Sequence, residues 1–362
     1  MRLLHIADVH LERSFPSLGP DRGRARRATL RSTLRRVVDL ANERDVDALC
    51  IAGDLFDREN AGPSVGEFLR TTFAILGDRP VLIAPGNHDY YDAGCLYDQV
   101  TWPANVQIYR SSDLSAIPVG DGNVWGAAMT RSESHASPLL GFSPLSEGLN
   151  VALLHAEVVG PDKTSIYGPL GPDEVSAVGF QFAMLGHVHA GRTDEAQRFA
   201  YPGSLEPLNI SEAGPRAALL VEVTADSLRV ESIPVAERRV IADEIVVTPF
   251  TTIADLVSAV SERQASWRDA DVRLSLVGVL KGELEDTDLI RGVFRDLDVT
   301  LDLRADPDID RSTLAEQRTV LGAFVRDLLQ QFDGTTDETQ RQYWSDVLRI
   351  GVGAFRGREV TL

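Results

Sequence analysis

Short apolar runs that stop abruptly at polar residues recur through residues 1–235 and constrain the fold most strongly. The runs cover residues 3–6, 48–52, 81–84, 151–154 and 182–185. Each has the length of a buried strand, and none alternates apolar with polar residues. Between the first two runs, apolar residues recur at the spacing of a helix face, at positions 30, 34, 37, 38 and 41. Strands that alternate with helices predict an α/β domain whose sheet is largely buried on both faces.

The pattern changes after residue 216 and predicts further units. Residues 217–223 and 228–235 form a hairpin signature, which closes a first domain of residues 1–235. A β-α-β-α-β pattern follows, with strands at 245–247, 272–279 and 299–303 and helices at 253–264 and 289–297, and predicts a small α+β domain over residues 240–305. Residues 314–332 and 337–355 have the spacing of two amphipathic helices within a C-terminal segment of residues 310–362.

Composition excludes several classes of protein. The chain has 54 acidic and 36 basic side chains and a formal net charge of −18, which argues against a protein that simply coats nucleic acid or an anionic membrane. Two cysteines are too few for a disulfide framework or a cysteine-based zinc site. No apolar run is long enough to span a membrane, and the N-terminus reaches charged residues too early for a signal peptide. We therefore expect a soluble, cytoplasmic protein with no membrane partner.

The positions of the histidines indicate the chemistry. Five of the seven follow or end one of the apolar runs: His10, His88, His155, His187 and His189. Acidic and amide residues accompany them at positions 8, 54, 87 and 89. In open α/β sheets, ligands gather at the carboxyl ends of the strands, so these segments are expected to converge. Imidazole, carboxylate and amide donors without thiolate suit hard or borderline divalent ions, and their number suggests two ions about 3.5–4 Å apart. Residue types alone thus predict a dinuclear hydrolase.

At these residues the chain resembles the calcineurin-like metallophosphoesterases. The motifs appear in the family's order: Asp8-Val9-His10, Gly53-Asp54, Gly86-Asn87-His88-Asp89, an isolated His155 and Gly186-His187-Val188-His189. Within that superfamily the chain is most similar to SbcD-type DNA-repair nucleases and the related YhaO group, through Gly53-Asp54-Leu55-Phe56-Asp57 and Tyr201-Pro202-Gly203-Ser204. The resemblance implies a β-sandwich flanked by helices, followed by a small capping domain and the C-terminal helices.

The resemblance also implies a role for each motif residue. One ion, at the first metal position, is held by Asp8, His10, His189 and Asp54. The other, at the second metal position, takes Asp54, Asn87, His155 and His187, so that Asp54 bridges the two. His88 then assists departure of the leaving oxygen, and Asp89 orients its imidazole. Asp57 stands where some family members have a second histidine, and its role is left open. His5 and His135 fall on no family motif and receive no chemical role.

A run of arginines after the first motif permits two readings. Arg22, Arg24, Arg26 and Arg27 could grip a DNA backbone. A solvated helix face explains the same run equally well. Because the chain is acidic overall, we expect weak, salt-sensitive DNA binding by this chain alone, with a partner supplying affinity.

The leading functional hypothesis is a DNA phosphodiesterase of DNA repair and recombination that uses two divalent ions, expected to be Mn²⁺. It acts as an exonuclease with some endonuclease capacity, through attack of metal-activated water on the backbone phosphate. The resemblance further implies a homodimer and an SbcC-type coiled-coil ATPase partner, on which the C-terminal helices would dock. Those helices could instead simply pack on the small domain.

Two other hypotheses remain open. A stand-alone metallophosphoesterase acting on a small nucleotide or phosphate ester would use the same site. A non-catalytic scaffold protein with a decayed metal site is disfavoured by the complete ligand set.

Overall fold

A computed structural model describes residues 1–143, 148–160, 162–268, 270–295, 297, 299–308, 311–335 and 337–355. The chain divides into two compact units, Met1–Arg239 and Val240–Leu362. Among the described residues, no helix is both long and apolar enough to cross a membrane.

The unit Met1–Arg239 is built mainly from strands. These are β1 (Arg2–Ile6), β2 (Ala48–Ile51), β3 (Val81–Ile83), β4 (Val106–Ile108), β5 (Ser115–Val119), β6 (Gly122–Gly126), β7 (Leu149–His155), β8 (Glu157–Val158), β9 (Pro169–Leu170), β10 (Phe182–Gly186), β11 (Arg192–Asp194), β12 (Phe199–Tyr201), β13 (Ala217–Val223) and β14 (Leu228–Pro234). The helices are α1 (Gly19–Glu43), α2 (Pro63–Ala74), α3 (Leu96–Gln99) and α4 (Glu174–Ala177), with a 3-10 turn at Pro16–Leu18.

Two sheets share these strands. The first sheet has the order β14-β13-β1-β2-β3-β4, and the second has the order β11-β12-β10-β7-β6-β5. Strands β1, β2 and β3 run parallel, as do β6, β7 and β10. All five predicted apolar runs are strands: three lie in the first sheet and two, β7 and β10, lie in the second. The predicted α/β fold, with two sheets flanked by helices, is confirmed.

Alternate residues of the first sheet pack in opposite directions, which explains the continuous apolar runs. Leu4 and Leu49 contribute to a core that contains the apolar stripe of α1, including Leu34. Leu3 and Cys50 contribute to a core shared with residues of β7 and β10 in the second sheet. A strand that is covered on both faces has few positions for polar side chains. The predicted ligands accordingly lie in the loops that follow the strands, apart from His155, the last residue of β7.

The unit Val240–Leu362 has a smaller sheet and more helix. Its strands are β15 (Arg239–Val246), β16 (Ala270–Val277), β17 (Val279–Leu280), β18 (Val299–Leu303) and β19 (Asp306–Pro307). Its helices are α5 (Ile253–Gln264), α6 (Thr287–Phe294), α7 (Arg311–Glu316), α8 (Val320–Asp333) and α9 (Glu338–Phe355), with a 3-10 turn at Gly282–Glu285. Strands β15, β16 and β18 form one sheet in that order.

The prediction of one helix over residues 314–332 was wrong. Two helices, α7 and α8, occupy this stretch, and the break lies just before α8. The Thr319 hydroxyl accepts a hydrogen bond from the Gly322 amide at 3.1 Å and caps the new helix. The strand predicted at 245–247 also begins earlier, at Arg239. Residues 310, 336 and 356–362 of the predicted C-terminal segment lie outside the described part of the chain.

Candidate metal centre

The predicted ligands lie in loops that leave the carboxyl ends of strands in both sheets. Strand β1 leads to Asp8 and His10, β2 to Asp54, and β3 to Asn87. In the second sheet, β7 ends at His155, and β10 leads to His187 and His189. Parallel strands have their carboxyl ends at the same edge of a sheet. The predicted ligands that follow the strands of one sheet therefore lie close together.

Short distances between side chains show that the two sets of ligands meet. The Nε2 atoms of His10 and His189 are 3.3 Å apart. The Asp54 Oδ2 atom lies 3.5 Å from His10 Nε2 and 3.5 Å from His155 Nε2. The Asn87 Oδ1 atom is 2.8 Å from His155 Nε2. Asp54 thus stands between an imidazole of the first metal position and an imidazole of the second.

The remaining two predicted ligands are joined through the backbone. The amide of His187 donates to both carboxylate oxygens of Asp8, at 3.1 Å and 3.2 Å. The His187 Nδ1 atom is 3.4 Å from Asn87 Oδ1. Asp8 and Asp54 are 0% and 1% exposed, so both carboxylates are buried. The structure therefore brings all seven predicted ligands into one largely buried cluster.

Unusual backbone conformations are concentrated at this cluster. Four of the predicted ligands have left-handed φ values: Asp8 at 52°, His10 at 48°, Asp54 at 52° and His187 at 101°. Such conformations cost about 1–3 kcal/mol each for residues other than glycine, and they persist where the surrounding structure enforces them. The loops are thus held in strained positions that aim the side chains at one another.

Glycines allow the loops to approach this closely. Gly53 has φ +82°, and a Cβ atom there would overlap the ring of His155. A Cβ atom on Gly186 would overlap the carbonyl oxygen of Ala52, which belongs to the loop after β2. Strand β10 of one sheet and the loop after β2 of the other therefore approach closely only because residue 186 is glycine.

The electrostatics of the cluster suit positive charge. Burial raises the pKa of Asp8 above its usual value, and the neighbouring Asp54 carboxylate contributes to the same shift. Burial lowers the pKa of His10, but its hydrogen bond with Asp57 and the nearby carboxylates outweigh burial and raise it overall. Burial and the neighbouring His155 lower the pKa of His187 to about 4, which keeps this imidazole neutral, as a metal ligand must be.

Donor type and geometry together fit divalent ions. Asp8, His10 and His189 each offer a ligand atom within 4.8 Å of the others, and Asp8, Asp54 and His155 do the same. The two groups share Asp8, and they combine imidazole with carboxylate. This donor set suits manganese, zinc or iron better than calcium or copper(I).

Comparisons with known proteins identify the family. Residues 1–191, more than half of the chain, match the family model described as calcineurin-like phosphoesterase. The chain belongs to the calcineurin-like phosphoesterase family. Family membership makes it a hydrolase of phosphoester bonds, with a candidate two-metal site in Met1–Arg239.

Curated relatives include nucleases. The chain is 27% identical over 255 residues to "uncharacterized metallophosphoesterase YhaO" of Bacillus subtilis, a match that covers 64% of this chain and 59% of YhaO. It is 27% identical over 259 residues to "DNA double-strand break repair protein Mre11" of Aeropyrum pernix, covering 66% of this chain and 61% of that protein. It is 24% identical over 255 residues to the SbcD component of the nuclease SbcCD of B. subtilis, covering 59% of this chain and 64% of that protein. In each case the chain spans less than two thirds of the relative's length.

The proposed general acid of this phosphoesterase, His88, lies at the edge of the cluster. Its side chain is 47% exposed, and its ring centroid is 4.8 Å from that of His10. Its amide donates to Asp54 Oδ1 at 2.8 Å, which fixes the backbone beside the central carboxylate. The imidazole therefore borders the cluster and can still be reached by a substrate.

The predicted role of Asp89 does not fit the structure. The Asp89 carboxylate is buried and accepts hydrogen bonds from backbone amides of Asp54, Leu55 and Gly86 at 2.6–3.1 Å. It also accepts one from the Tyr97 hydroxyl at 2.6 Å. Both carboxylate oxygens of Asp89 are thus engaged by these donors. Asp89 stabilises the loops after β2 and β3 and does not orient His88.

Asp57, whose role the sequence left open, occupies the place expected of Asp89. Its Oδ1 atom is 2.6 Å from His10 Nδ1 and 3.6 Å from His88 Nδ1. One carboxylate thus neighbours both a predicted metal ligand and the predicted acid. Its position three residues after Asp54, where some family members have a histidine, is the sequence signal that points to it.

Sequence reasoning missed Glu212 altogether. Its Oε1 atom is 3.0 Å from His189 Nδ1, and its side chain is 10% exposed. Glu212 lies 23 residues after the histidine that it contacts, in a segment without a recognised motif. The nearest motif is Tyr201-Pro202-Gly203-Ser204, whose Ser204 hydroxyl donates to Glu212 Oε2 at 3.0 Å.

The four arginines proposed for DNA do not share one surface. Arg22 and Arg24 are exposed on α1. Arg27 is partly buried, with Nε 3.7 Å from Glu12 Oε2. Arg26 is only 8% exposed and donates to the Pro207 carbonyl at 2.9 Å. A buried guanidinium cannot contact a phosphate from this position, so the prediction for Arg26 does not fit the structure.

Proposed function

We propose that this protein is a phosphodiesterase that cleaves DNA with two divalent metal ions, Mn²⁺ being the expected metal. The observation that carries the proposal is the position of Asp54, 3.5 Å from an imidazole on each side, in a cluster to which both sheets contribute. Two relatives whose names denote DNA repair or nuclease activity support DNA as the substrate. We propose exonuclease activity with some endonuclease capacity, in DNA repair and recombination.

The proposed ligand sets follow the two sides of Asp54. Asp8, His10 and His189 would hold the first ion, and Asn87, His155 and His187 the second, with Asp54 shared. Bound ions would supply Lewis acidity at the phosphate and a nucleophilic water at neutral pH. The left-handed loops and buried hydrogen bonds hold these side chains in place before substrate arrives, which lowers the cost of ordering them during reaction.

His88 would act on the leaving oxygen. Its exposed imidazole can donate a proton or hydrogen bond, and a positioned acid of this kind accelerates a reaction by about 10²–10⁴-fold. Asp57 would hold the imidazole in position, since its Oδ1 atom lies 3.6 Å from His88 Nδ1. Asp89, in contrast, would serve the fold of the loops.

The partners that we propose are DNA, a second copy of the chain and a coiled-coil ATPase. One relative is named as a component of the nuclease SbcCD, and thus as part of a complex. On the C-terminal helices, Val320, Tyr343 and Phe355 are 74%, 57% and 50% exposed, and such apolar side chains suit a docking surface for the ATPase. Residues 240–305 would act as the capping domain, and exposed Arg22 and Arg24 would contact the DNA backbone.

Degradation of linear duplex DNA by the purified protein with Mn²⁺ tests this proposal. We expect cleavage that EDTA abolishes and that Asp54→Asn abolishes as well, because the variant removes the shared ligand. Bis(p-nitrophenyl) phosphate, a small diester, serves as the parallel substrate. Hydrolysis of the small ester without any cleavage of DNA would contradict a DNA substrate. Bound Mn²⁺ without hydrolysis of either would favour the scaffold.

One observation favours the second candidate, a phosphoesterase for small nucleotide or phosphate esters. A cavity of about 720 Å³ opens beside His155 and is lined in part by Met129, His135 and Phe142. Its volume is in the range typical of small-molecule sites. Asp113, Glu133 and Arg131 also line it, so that the cavity carries side chains of both charges. Competition between mononucleotides and DNA would separate the two candidates.

A further inference from the structure

Three of the proposed metal-binding histidines are held through Nδ1, and their partners differ in charge. His10 Nδ1 contacts the Asp57 carboxylate at 2.6 Å, and His189 Nδ1 contacts the Glu212 carboxylate at 3.0 Å. His155 Nδ1 instead contacts the neutral carbonyl oxygen of Ala52 at 2.8 Å. In each case the contact leaves Nε2 facing the cluster. A proton on Nδ1 is then the arrangement that makes Nε2 a metal ligand.

Glu212 is itself held rigidly. Its Oε2 atom accepts from the Ser204 hydroxyl and the Leu208 amide, both at 3.0 Å, and its Oε1 atom also accepts from Asn209 Nδ2 at 2.7 Å. Three donors thus fix the orientation of the carboxylate group. Glu212 is therefore held in its direction toward His189.

Arg216 contacts the backbone of the same histidine, His189. Its side chain is 4% exposed and lies 3.7 Å from Glu212 Oε2. It donates to the carbonyl oxygen of His189 and, at 2.6 Å, to the carbonyl oxygen of Glu212. Both the ring and the backbone of His189 are thus tied to the segment that carries Glu212 and Arg216.

The second metal position has no matching support among the described residues. His187 Nε2 is 4.0 Å from the partly exposed Glu157, beyond hydrogen-bond distance, and His155 has only a backbone carbonyl at Nδ1. In the part of the chain that the structure describes, the carboxylates in hydrogen-bond contact with proposed histidine ligands are Asp57 and Glu212, and both serve the first position. A carboxylate behind a ligating imidazole makes the ring more basic and strengthens its bond to a metal.

We infer that Glu212 is a positioning residue that holds His189 for the metal, and that it makes the first metal position bind metal more tightly than the second. The inference rests on the proposed metal site. It assigns to the segment Ser204–Glu212 a function beyond folding, although no residue of this segment is itself a proposed ligand.

Calorimetric titration of the metal-free, full-length protein with Mn²⁺ tests the inference. We expect two binding events of unequal affinity in the wild type. Glu212→Gln should weaken the tighter event by about 10-fold and Glu212→Ala by about 100-fold, because loss of such a partner costs 10–100-fold in affinity. The weaker event should change little. The matched control Glu157→Gln removes the same charge beside His187 and should leave the tighter event unchanged.

A spectroscopic measurement separates positioning from a merely structural role. The visible absorption of the first equivalent of Co²⁺ should shift in Glu212→Gln, because the donor strength of one imidazole has changed, whereas it should be unaltered in Glu157→Gln. If Glu212→Gln fails to fold, Asn209→Ala removes one exposed donor to Glu212 and should weaken the tighter event several-fold.

Three outcomes would overturn the inference while leaving the proposed function intact. These are equal affinities in the wild type, unchanged titration of the Glu212 variants, and equal weakening of both events. A wild-type protein that binds no Mn²⁺ would instead overturn the proposed function itself.

Discussion

The strands of the two units differ in how fully they are buried and in the residues of the loops that follow them. In Met1–Arg239, strands β1, β2 and β7 are buried almost throughout and lead into loops that hold buried carboxylates and imidazoles. In Val240–Leu362, strand β16 alternates between buried and partly exposed residues. No group of three described metal-ligating side chains lies in that unit. In Met1–Arg239, strands that are buried on both faces thus accompany the polar cluster at their carboxyl ends.

This contrast predicts that changes in the two units have separable effects. Substitutions at the loops of Met1–Arg239 should reduce catalysis or metal binding. Substitutions in Val240–Leu362 should reduce the stability of that unit and leave metal binding unchanged.

Among variants that keep the proposed metal ligands intact, the largest effect is expected for His88→Ala. Loss of a positioned acid should lower kcat on DNA by about 10²–10⁴-fold while both Mn²⁺ ions remain bound. Single-turnover cleavage and metal stoichiometry measure the two quantities on one sample. Loss of metal together with activity would show that His88 is a ligand.

Asp57→Asn should come next. Because Asp57 contacts His10 and neighbours His88, we expect activity to fall about 10–100-fold with little change in melting temperature. Asp89→Asn is the matched comparison, since its carboxylate accepts four hydrogen bonds inside the fold. That variant should lose roughly 2–4 kcal/mol of stability, as expected when a buried charged acceptor is replaced. Equal behaviour of the two variants would remove the distinction that the structure draws between them.

His5 should make the stability of Met1–Arg239 depend on pH. His5 is fully buried, and burial lowers its pKa to about 3. In the unfolded chain the His5 imidazole is protonated below about pH 6.5, whereas in the folded chain it stays neutral. The free energy of unfolding therefore falls as the pH drops below that value. His5 alone should account for a loss of about 2 kcal/mol at pH 5, and His5→Leu should remove that share. Urea unfolding at pH 7 and pH 5 checks this, and an unchanged pH dependence in the variant would contradict it.

The smallest effect is expected in the second unit. Thr252 caps α5 in a capping box with Asp255, so Thr252→Ala should cost about 1 kcal/mol of stability. Mn²⁺ titration should be unaffected. A changed metal affinity in this variant would show that the two units are coupled.

The sequence predicted the elements better than the contacts between them. Helix α5 and strand β18 begin and end where their patterns place them, because amphipathic spacing and turn residues are local signals. Patterns alone could not show that β7 and β10 belong to a different sheet from β1, since strands in either sheet look equally apolar. The β-sandwich came from the resemblance to a family.

The same limit applies to the candidate site. Its ligands could be predicted because each follows a strand, and strand ends are visible in the sequence. Asp89 and Asp57 could not be told apart, because both are acidic residues near a motif and only the fold decides which faces His88. Glu212 had no local signal, and the burial of Arg26 depends on a contact with Pro207, far away in the sequence.

Anomalous X-ray diffraction from crystals grown with Mn²⁺ tests the central claim most directly. The account predicts two manganese peaks about 3.5–4 Å apart, with the Asp54 carboxylate between them. His10 and His189 should lie at one peak, and His155 and His187 at the other. A single peak, or two peaks that do not share Asp54, would contradict the two-metal site.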